Sequence, residues 1–137
     1  MKNEAVIGGI TVGGQPDAKD IESGNYAVVI NCRPDDEPGN VTAELVRGTP
    51  TIYASVPFTG DTIARTHIDQ IREVLDDIEG PAMMHCQGGT RAAVAAAIIT
   101  AEREGKGAEA AVAAIEAAGY DIAGRSYEAF ITSYFAK

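Results

Sequence analysis

The apolar positions of this chain fall into two rhythms. Runs of three to six apolar residues, bounded by glycine, proline or acids, read as strands, and longer stretches with apolar residues three and four apart read as helices. Ala5-Val6-Ile7 and Ile10-Thr11-Val12, split by Gly8-Gly9, form either one bent strand or a hairpin. Gly13-Gly14-Gln15-Pro16 is a turn, with Gln15 reading as plain turn chemistry, and Asp17 is placed to cap a short helix that stops before Gly24. Tyr26 to Asn31 is an almost unbroken apolar run, as expected of a strand buried on both faces of a parallel sheet. Asn40 is placed to cap a two-turn helix over 41–47, closed by Gly48. Thr51 to Val56 alternates, with Ile52, Ala54 and Val56 on the expected inner face of a half-buried strand.

After the capping pattern Thr66-His67-Ile68-Asp69, a helix carries Ile68, Ile71, Leu75 and Ile78 on one face and ends at Gly80-Pro81. His67 falls near its start, on the surface. Pro81 to Met84 is a short buried strand. Ala92 to Ala101 has no charge on any side, which predicts a helix buried all round. Gly107 to Ala118 is a second alanine-rich helix ended by Gly119. Arg125 to Ala136 is a final helix whose Tyr127, Phe130, Ile131, Tyr134 and Phe135 supply core packing.

Strands alternating with helices define an α/β fold with a mostly parallel sheet flanked by helices. The 137 residues suit a single domain spanning 1–137. Ligands in such folds sit beyond the carboxyl ends of strands. Cys32, Pro57 to Asp61, and Cys86 all follow strand ends, so three segments are expected around one crevice.

Charge narrows the partners. The formal net charge is −9 and no basic run occurs, which argues against nucleic acid, anionic membranes and densely phosphorylated substrates. A substrate anion must be captured by a local positive pocket working against the global field. No stretch approaches the ~18 consecutive apolar residues of a membrane span. Met1-Lys2-Asn3-Glu4 carries an acid, and the run after it, broken by Gly8 and Gly9, lacks the apolar core and cleavage site of a signal peptide, so a reducing, cytoplasmic compartment is expected. Cys32 and Cys86 are then two thiols rather than a structural disulfide. Two histidines with no second cysteine pair predict no zinc site, and no cofactor is expected. Nothing in the sequence sets an oligomeric state.

The chemistry is concentrated in Met83-Met84-His85-Cys86-Gln87-Gly88-Gly89-Thr90-Arg91-Ala92-Ala93: strand, tight loop, helix. In such a loop successive N–H groups form an anion-binding concavity, and the following helix adds its positive end. Cys86 opens the loop and Arg91 closes it. A thiol in that setting is expected to be a thiolate at neutral pH. Arg91 presents a planar fork suited to two oxygens of a phosphate or sulfate ion. Gly88 and Gly89 let the backbone turn and approach a ligand closely. Nucleophile and anion clamp in one loop are the equipment for phosphoryl or sulfur transfer through a covalent cysteine.

His-Cys, a glycine-bearing loop and Arg resemble the signature of cysteine-dependent protein tyrosine and dual-specificity phosphatases. The usual spacing places five residues between Cys and Arg; here there are four, Gln87, Gly88, Gly89 and Thr90. The shorter loop resembles a bacterial branch of dual-specificity-like phosphatases, the domain also found fused in beta-lactamase-hydrolase-like proteins. That branch also resembles this chain in its Gly-Gln-Pro turn and in a strand running into Asn-x-Arg-Pro and acids, here Asn31 to Asp36. Rhodanese-type sulfurtransferases have an equally short loop but an Asp-x-Arg start at the matching strand. The acidic run Asp35-Asp36-Glu37 reads most simply as a solvated loop.

The resemblance covers roughly residues 7 to 120 and implies a phosphomonoester hydrolase acting on a phosphorylated protein or a small aryl phosphate. Cys86 is the implied nucleophile, with Gln87, Gly88, Gly89, Thr90 and Arg91 binding phosphate and His85 orienting the loop and assisting Cys86 ionisation. Asp61, 25 residues before Cys86, is the implied general acid, or else a turn or cap residue; Asp35 and Asp36 are the fallbacks. Two departures stand out. Ala92 replaces the hydroxyl residue that usually follows the arginine, so that either Thr90 serves or the second step is slow. Gln87 replaces the usual basic residue after the cysteine. Cys32 is either packing or a redox partner for Cys86. A persulfide-carrying sulfurtransferase and a non-enzymatic phosphate-binding module remain the alternative readings.

Overall fold

A computed structural model describes residues 1–136. In chain order the elements are β1 (Ala5–Ile7), β2 (Ile10–Gly13), α1 (Ala18–Gly24), β3 (Val28–Asn31), α2 (Thr42–Val46), β4 (Ile52–Ser55), α3 (Arg65–Asp77), β5 (Ala82–His85), α4 (Thr90–Arg103), α5 (Ala108–Ala117) and α6 (Ser126–Phe135). The alternation of strand and helix expected from the sequence is the observed one.

The sheet has five strands in the order β1-β2-β5-β3-β4. β1 and β2 form the hairpin alternative, antiparallel with Ala5 opposite Val12, while β2, β5, β3 and β4 run parallel. β5, the last strand of the chain, is inserted between β2 and β3. The strand order therefore reverses around β5, and a crevice opens beyond its carboxyl end.

Side chains of a strand alternate between the two faces, which here makes two cores of unequal size. Val28, Ile30, Ala82 and Met84 face α3, α4, α5 and α6 in the larger one. Val29 and Met83 face Ile21 of α1 and Val46 of α2 in the smaller one. α4 lies at the centre of the larger core, with nine of its side chains, Ala92 to Ile99 and Ala101, buried. Its alanines let α5 and the sheet approach closely, and Tyr127, Ile131 and Tyr134 of α6 are buried beyond α5.

Local chemistry departs from expectation at several points. Asp17 does cap α1 through a reciprocal pair, its Oδ1 accepting from Asp20 N at 2.8 Å. Asn40 does not cap α2; Val41 stands there, and the Asn40 side chain bonds Asn31 and the carbonyls of Arg33 and Pro34 instead. α3 starts one residue ahead of Thr66. Its N-cap is Ala64, whose N–H donates to His67 Nδ1 at 3.0 Å, and the His67 ring stacks on Phe58. β4 is an edge strand, so Ile52 remains 50% exposed although its alternation pointed inward, and Tyr53 turns its hydroxyl to Asn31. An edge strand has only one neighbour in the sheet.

These positions make a stability contrast. Ile98 is fully buried in α4, so Ile98→Ala should cost about 2–5 kcal/mol. Ile52→Ala should cost under ~1 kcal/mol. Urea denaturation of both variants checks this; equal losses would place Ile52 in the core.

Candidate active site

Four loops meet at the carboxyl ends of the parallel strands: residues 14–17 after β2, 32–41 after β3, 56–64 after β4, and 86–89 between β5 and α4. Alternation separates the two residues at the end of β5. His85 points to the α1–α2 face and Cys86 to the α4 face, both buried.

Cys86 heads the loop, and the Gly89 N–H donates to its Sγ at 3.1 Å. Gly89 is the N-cap of α4 with φ +104°, a conformation that side chains rarely adopt, and a Cβ there would strike Tyr120. Gly88 has neither restriction: a Cβ on it would meet open space. Of the two glycines, Gly89 is the one the loop's geometry requires. The loop is braced from the β2 side by Gln15 N–H donating to Gln87 O at 3.1 Å and by Asn3 Nδ2 donating to Gly88 O at 2.8 Å.

Arg91 is aimed by a carboxylate. Its Nη1 donates to Glu37 Oε2 at 2.9 Å and to Phe58 O at 3.1 Å, and its Nη2 donates to Glu37 Oε1 at 3.0 Å. A guanidinium has five N–H donors, so two are left to hold anion oxygens. Glu37 also accepts from Arg33 Nε at 2.9 Å, and the two arginines hold its carboxyl below the usual range, the Arg91 bond contributing most. The acidic run is thus not simply solvated: Asp35 and Asp36 are exposed, but Glu37 turns inward as the counter-ion of two arginines.

Arg33 is 1% exposed and begins a relay of donors. Its Nη1 donates to Gln15 Oε1 at 2.7 Å, and Gln15 Nε2 donates to Thr42 Oγ1 at 2.8 Å. Thr42 Oγ1 lies 2.9 Å from His85 Nε2, and His85 Nδ1 lies 3.2 Å from Cys86 O. One neutral tautomer satisfies every link, with Nδ1–H donating to the Cys86 carbonyl and Nε2 accepting from Thr42. Gln15 is therefore a core member of the site and not merely a turn residue. Its glutamine is needed because the position must accept on one side and donate on the other.

A cleft of about 310 Å³ opens over Cys86. Of the loop residues, Gln87, Gly88, Thr90 and Arg91 line it and Gly89 does not; Lys2, Arg125 and Tyr127 join them. Asp61 does not line it. It is exposed in the loop after β4, which Ser126 ties to α6 by donating to Gly60 O at 2.8 Å; its charge reaches Tyr127 on the cleft wall. Cys32 lies one residue beyond the pairing of Asn31 with His85, its N–H donating to His85 O at 2.9 Å, so it sits beside Cys86 on the same face. Both cysteines are free, and burial pushes the Cys32 thiol well up. Among the described residues no group of three or more His, Cys, Asp or Glu is placed to hold a metal ion, and no helix is long and apolar enough to cross a membrane.

Thr42, Lys2 and Arg125 were not singled out by sequence. Thr42 carries no local signal, and Lys2 and Arg125 lie at opposite ends of the chain, so only the folded structure brings them to one cleft. Arg33 stood inside the Asn-x-Arg-Pro resemblance without a role.

A cysteine-headed loop between the central parallel strand and a buried helix, closed by a carboxylate-aimed arginine, places this fold among the cysteine-phosphatase architectures. The chain belongs to the beta-lactamase hydrolase-like protein, phosphatase-like domain family, whose model matches residues 5–103. It is 33% identical over 100 residues, 67% of its length, to a beta-lactamase hydrolase-like protein of Agrobacterium fabrum, and the match spans 23% of that longer protein. In structure it is similar to a putative phosphatase from Shewanella putrefaciens (TM-score 0.80, 15% identity, covering 100% of this chain and 93% of that one). It is also similar to TpbA of P. aeruginosa (TM-score 0.77, 19% identity, covering 96% and 84%).

The relay has a pH signature. Burial first, then the nearby Arg33 and Arg91 charges, lower the His85 pKa to about 4. The unfolded chain takes up this proton near pH 6.5 and the folded chain only near 4. The neutral imidazole's contribution is therefore complete above about pH 6.5 and is lost as pH falls from 6.5 to 4, about 3 kcal/mol in all. Glu37, whose pKa is lowered, acts in the same direction at still lower pH. Between pH 7 and 4.5 the wild type should lose about 2–3 kcal/mol more than His85→Gln in urea melts. Equal losses would mean that His85 takes up its proton in the folded state.

Proposed function

We propose that this domain is a cysteine-dependent phosphomonoester hydrolase working through a phosphocysteine intermediate. The observation that carries the reading is the loop itself. Cys86 Sγ accepts a backbone N–H at 3.1 Å in a cleft closed by an arginine whose remaining donors are free for an anion. Cys86 attacks phosphorus in line with the leaving oxygen. Arg91 and the N–H groups of Gln87, Gly88 and Thr90 hold the three equatorial oxygens, where transition-state charge is spread. Water then cleaves the S–P bond, with the sulfur leaving as thiolate. Thr90 is the hydroxyl nearest in sequence that can assist this departure, since Ala92 cannot.

His85 acts here by position. Its lowered pKa leaves it neutral at pH 7, so it supplies no charge to the sulfur; it orients the Cys86 carbonyl and hence the loop. Asp61 is the general acid in this reading, in a loop tied to the cleft wall through Ser126. A phosphorylated protein side chain and a small aryl phosphate are the substrate classes that fit. The family and the Asn-x-Arg-Pro strand end favour phosphoryl over sulfur transfer.

Cys86→Ser and Arg91→Ala should each abolish aryl-phosphate hydrolysis with the fold intact by circular dichroism, and EDTA should have no effect. Asp61→Asn should slow alkyl-like leaving groups by about a hundredfold or more and good leaving groups much less. Retained turnover in Cys86→Ser overturns the mechanism. Cyanide-dependent sulfur transfer from thiosulfate without phosphate release would make this a sulfurtransferase. An unchanged pH–rate profile in Asp61→Asn moves the acid to Asp35, Asp36 or another residue.

Cys32 is the natural resolving thiol for an oxidised Cys86. A bridge needs the two Cα atoms within about 7 Å, and the position of both cysteines one residue beyond the paired Asn31 and His85 on neighbouring strands supports this reading. Peroxide oxidises the Cys86 sulfur to sulfenic acid, releasing water. The Cys32 thiol then displaces the sulfenic oxygen as water, forming the disulfide. Because burial keeps Cys32 protonated, the second step is slow. Peroxide-treated wild type should regain activity with a thiol reductant, whereas Cys32→Ser should lose it permanently. Equal recovery, or no intramolecular disulfide by mass spectrometry, makes Cys32 packing alone.

A further inference from the structure

The cleft over Cys86 is lined by three cationic side chains, Arg91, Lys2 and Arg125, and by no carboxylate among the described residues. The chain as a whole has 20 acids against 11 lysines and arginines, so this grouping runs against the background. Arg91 belongs to the loop and is paired with Glu37. Lys2 and Arg125 come from opposite ends of the chain, and neither lies within ion-pair distance of a carboxylate among the described residues. Both fall outside residues 5–103, the stretch that matches the family model.

Each is held in place by its surroundings. The Lys2 carbonyl accepts from Gly14 N at 2.8 Å. Asn3, in a left-handed conformation, donates to Gly88 O and accepts from the Tyr120 hydroxyl. Residues 2 and 3 are thereby strapped across the outside of the catalytic loop, with the Lys2 side chain on the cleft. Arg125 precedes α6. Its guanidinium lies over the buried Tyr127 ring, 5.1 Å from the centroid, and its Nη1 lies 3.4 Å from Asp121 O. Tyr127 stays protonated because burial raises its pKa, so it contributes a neutral wall to the cleft.

A phosphoryl group seated in the loop is satisfied by Arg91 and the loop N–H groups, and needs neither Lys2 nor Arg125. The leaving-group side of such a substrate lies in the same cleft that these two cations line. We propose that Lys2 and Arg125 form a second anion subsite that selects small phosphoesters carrying another anionic group, a carboxylate or a second phosphate, on the leaving group. The proposal rests on the phosphatase reading of the same loop. The acidic exterior limits the preference to one added anionic group near the scissile phosphate, since a longer polyanion would meet repulsion beyond the rim.

The test compares phenyl phosphate, 3-carboxyphenyl phosphate and benzene-1,3-bisphosphate as substrates of the wild type, Lys2→Ala, Arg125→Ala, the double variant and Lys2→Arg. In the wild type the bis-anionic substrates should exceed phenyl phosphate by about tenfold in kcat/KM, mainly through KM, and 0.5 M salt should erode the advantage. The double variant should lose that ratio while phenyl phosphate falls by less than about threefold, and Lys2→Arg should retain it. The carboxylate and bisphosphate arms show which anion the subsite prefers. Binding of phenyl phosphate and 3-carboxyphenyl phosphate to Cys86→Ser protein, with and without the Lys2 and Arg125 changes, is read by calorimetry without turnover. A preference that is unaffected in the double variant overturns the subsite and leaves the phosphatase reading standing. A Lys2- and Arg125-dependent binding preference in a wild type that hydrolyses none of the three esters overturns the phosphatase reading and leaves the subsite standing.

Discussion

The Glu37 carboxylate, held between Arg33 and Arg91, is the interaction on which the site depends. A buried guanidinium is costly to keep out of water unless it is paired and its donors are used. Arg33 uses its donors on Glu37, Gln15 and the Pro38 carbonyl. Glu37 in turn aims Arg91, and Gln15 passes the order on through Thr42 to His85 and the Cys86 carbonyl. The network thus grips the catalytic loop at both ends, at Cys86 and at Arg91. Removing Glu37 would leave two guanidiniums without a counter-ion and the Arg91 side chain without its aim.

The sheet makes this arrangement possible. Because β5 lies between β2 and β3, the loops after all three strands converge on one point. Because side chains alternate along β5, His85 joins the polar network on the α1–α2 face while Cys86 faces the α4 side. Orientation and chemistry are assigned to adjacent residues without competing for space. The rigidity of the loop comes from α4, whose buried alanines and isoleucines fix the position of its N-terminus against the sheet.

The elements with strong periodicity were legible in the chain. The charge-free stretch Ala92 to Ala101 had to be buried, and all of it but Thr100 is. The run Tyr26 to Asn31 was expected to be an inner parallel strand, and its last four residues, Val28 to Asn31, are one. Ile52 shows the limit of such reading. Alternation marks a face but does not say whether anything covers it, and at a sheet edge the covering is incomplete. Asn40 shows another, for a good capping residue was drawn away by three hydrogen-bond partners around Asn31 and Arg33.

For the site, local sequence determined what a single loop can hold: a nucleophile at Cys86, a turn that needs Gly89, and an arginine that closes the loop at position 91. Those features depend on neighbours along the chain, so their chemistry is visible in one short stretch. The partners of that loop were decided only by tertiary structure. Glu37 looks like its solvated neighbours Asp35 and Asp36, and Gln15 looks like any turn residue, until β2, β3 and β5 are set side by side. Lys2 and Arg125 reach the cleft from the two ends of the chain. A hydrogen bond or a charge acts over a few ångströms of space, whereas sequence separation alone does not say which distant residues will share that space.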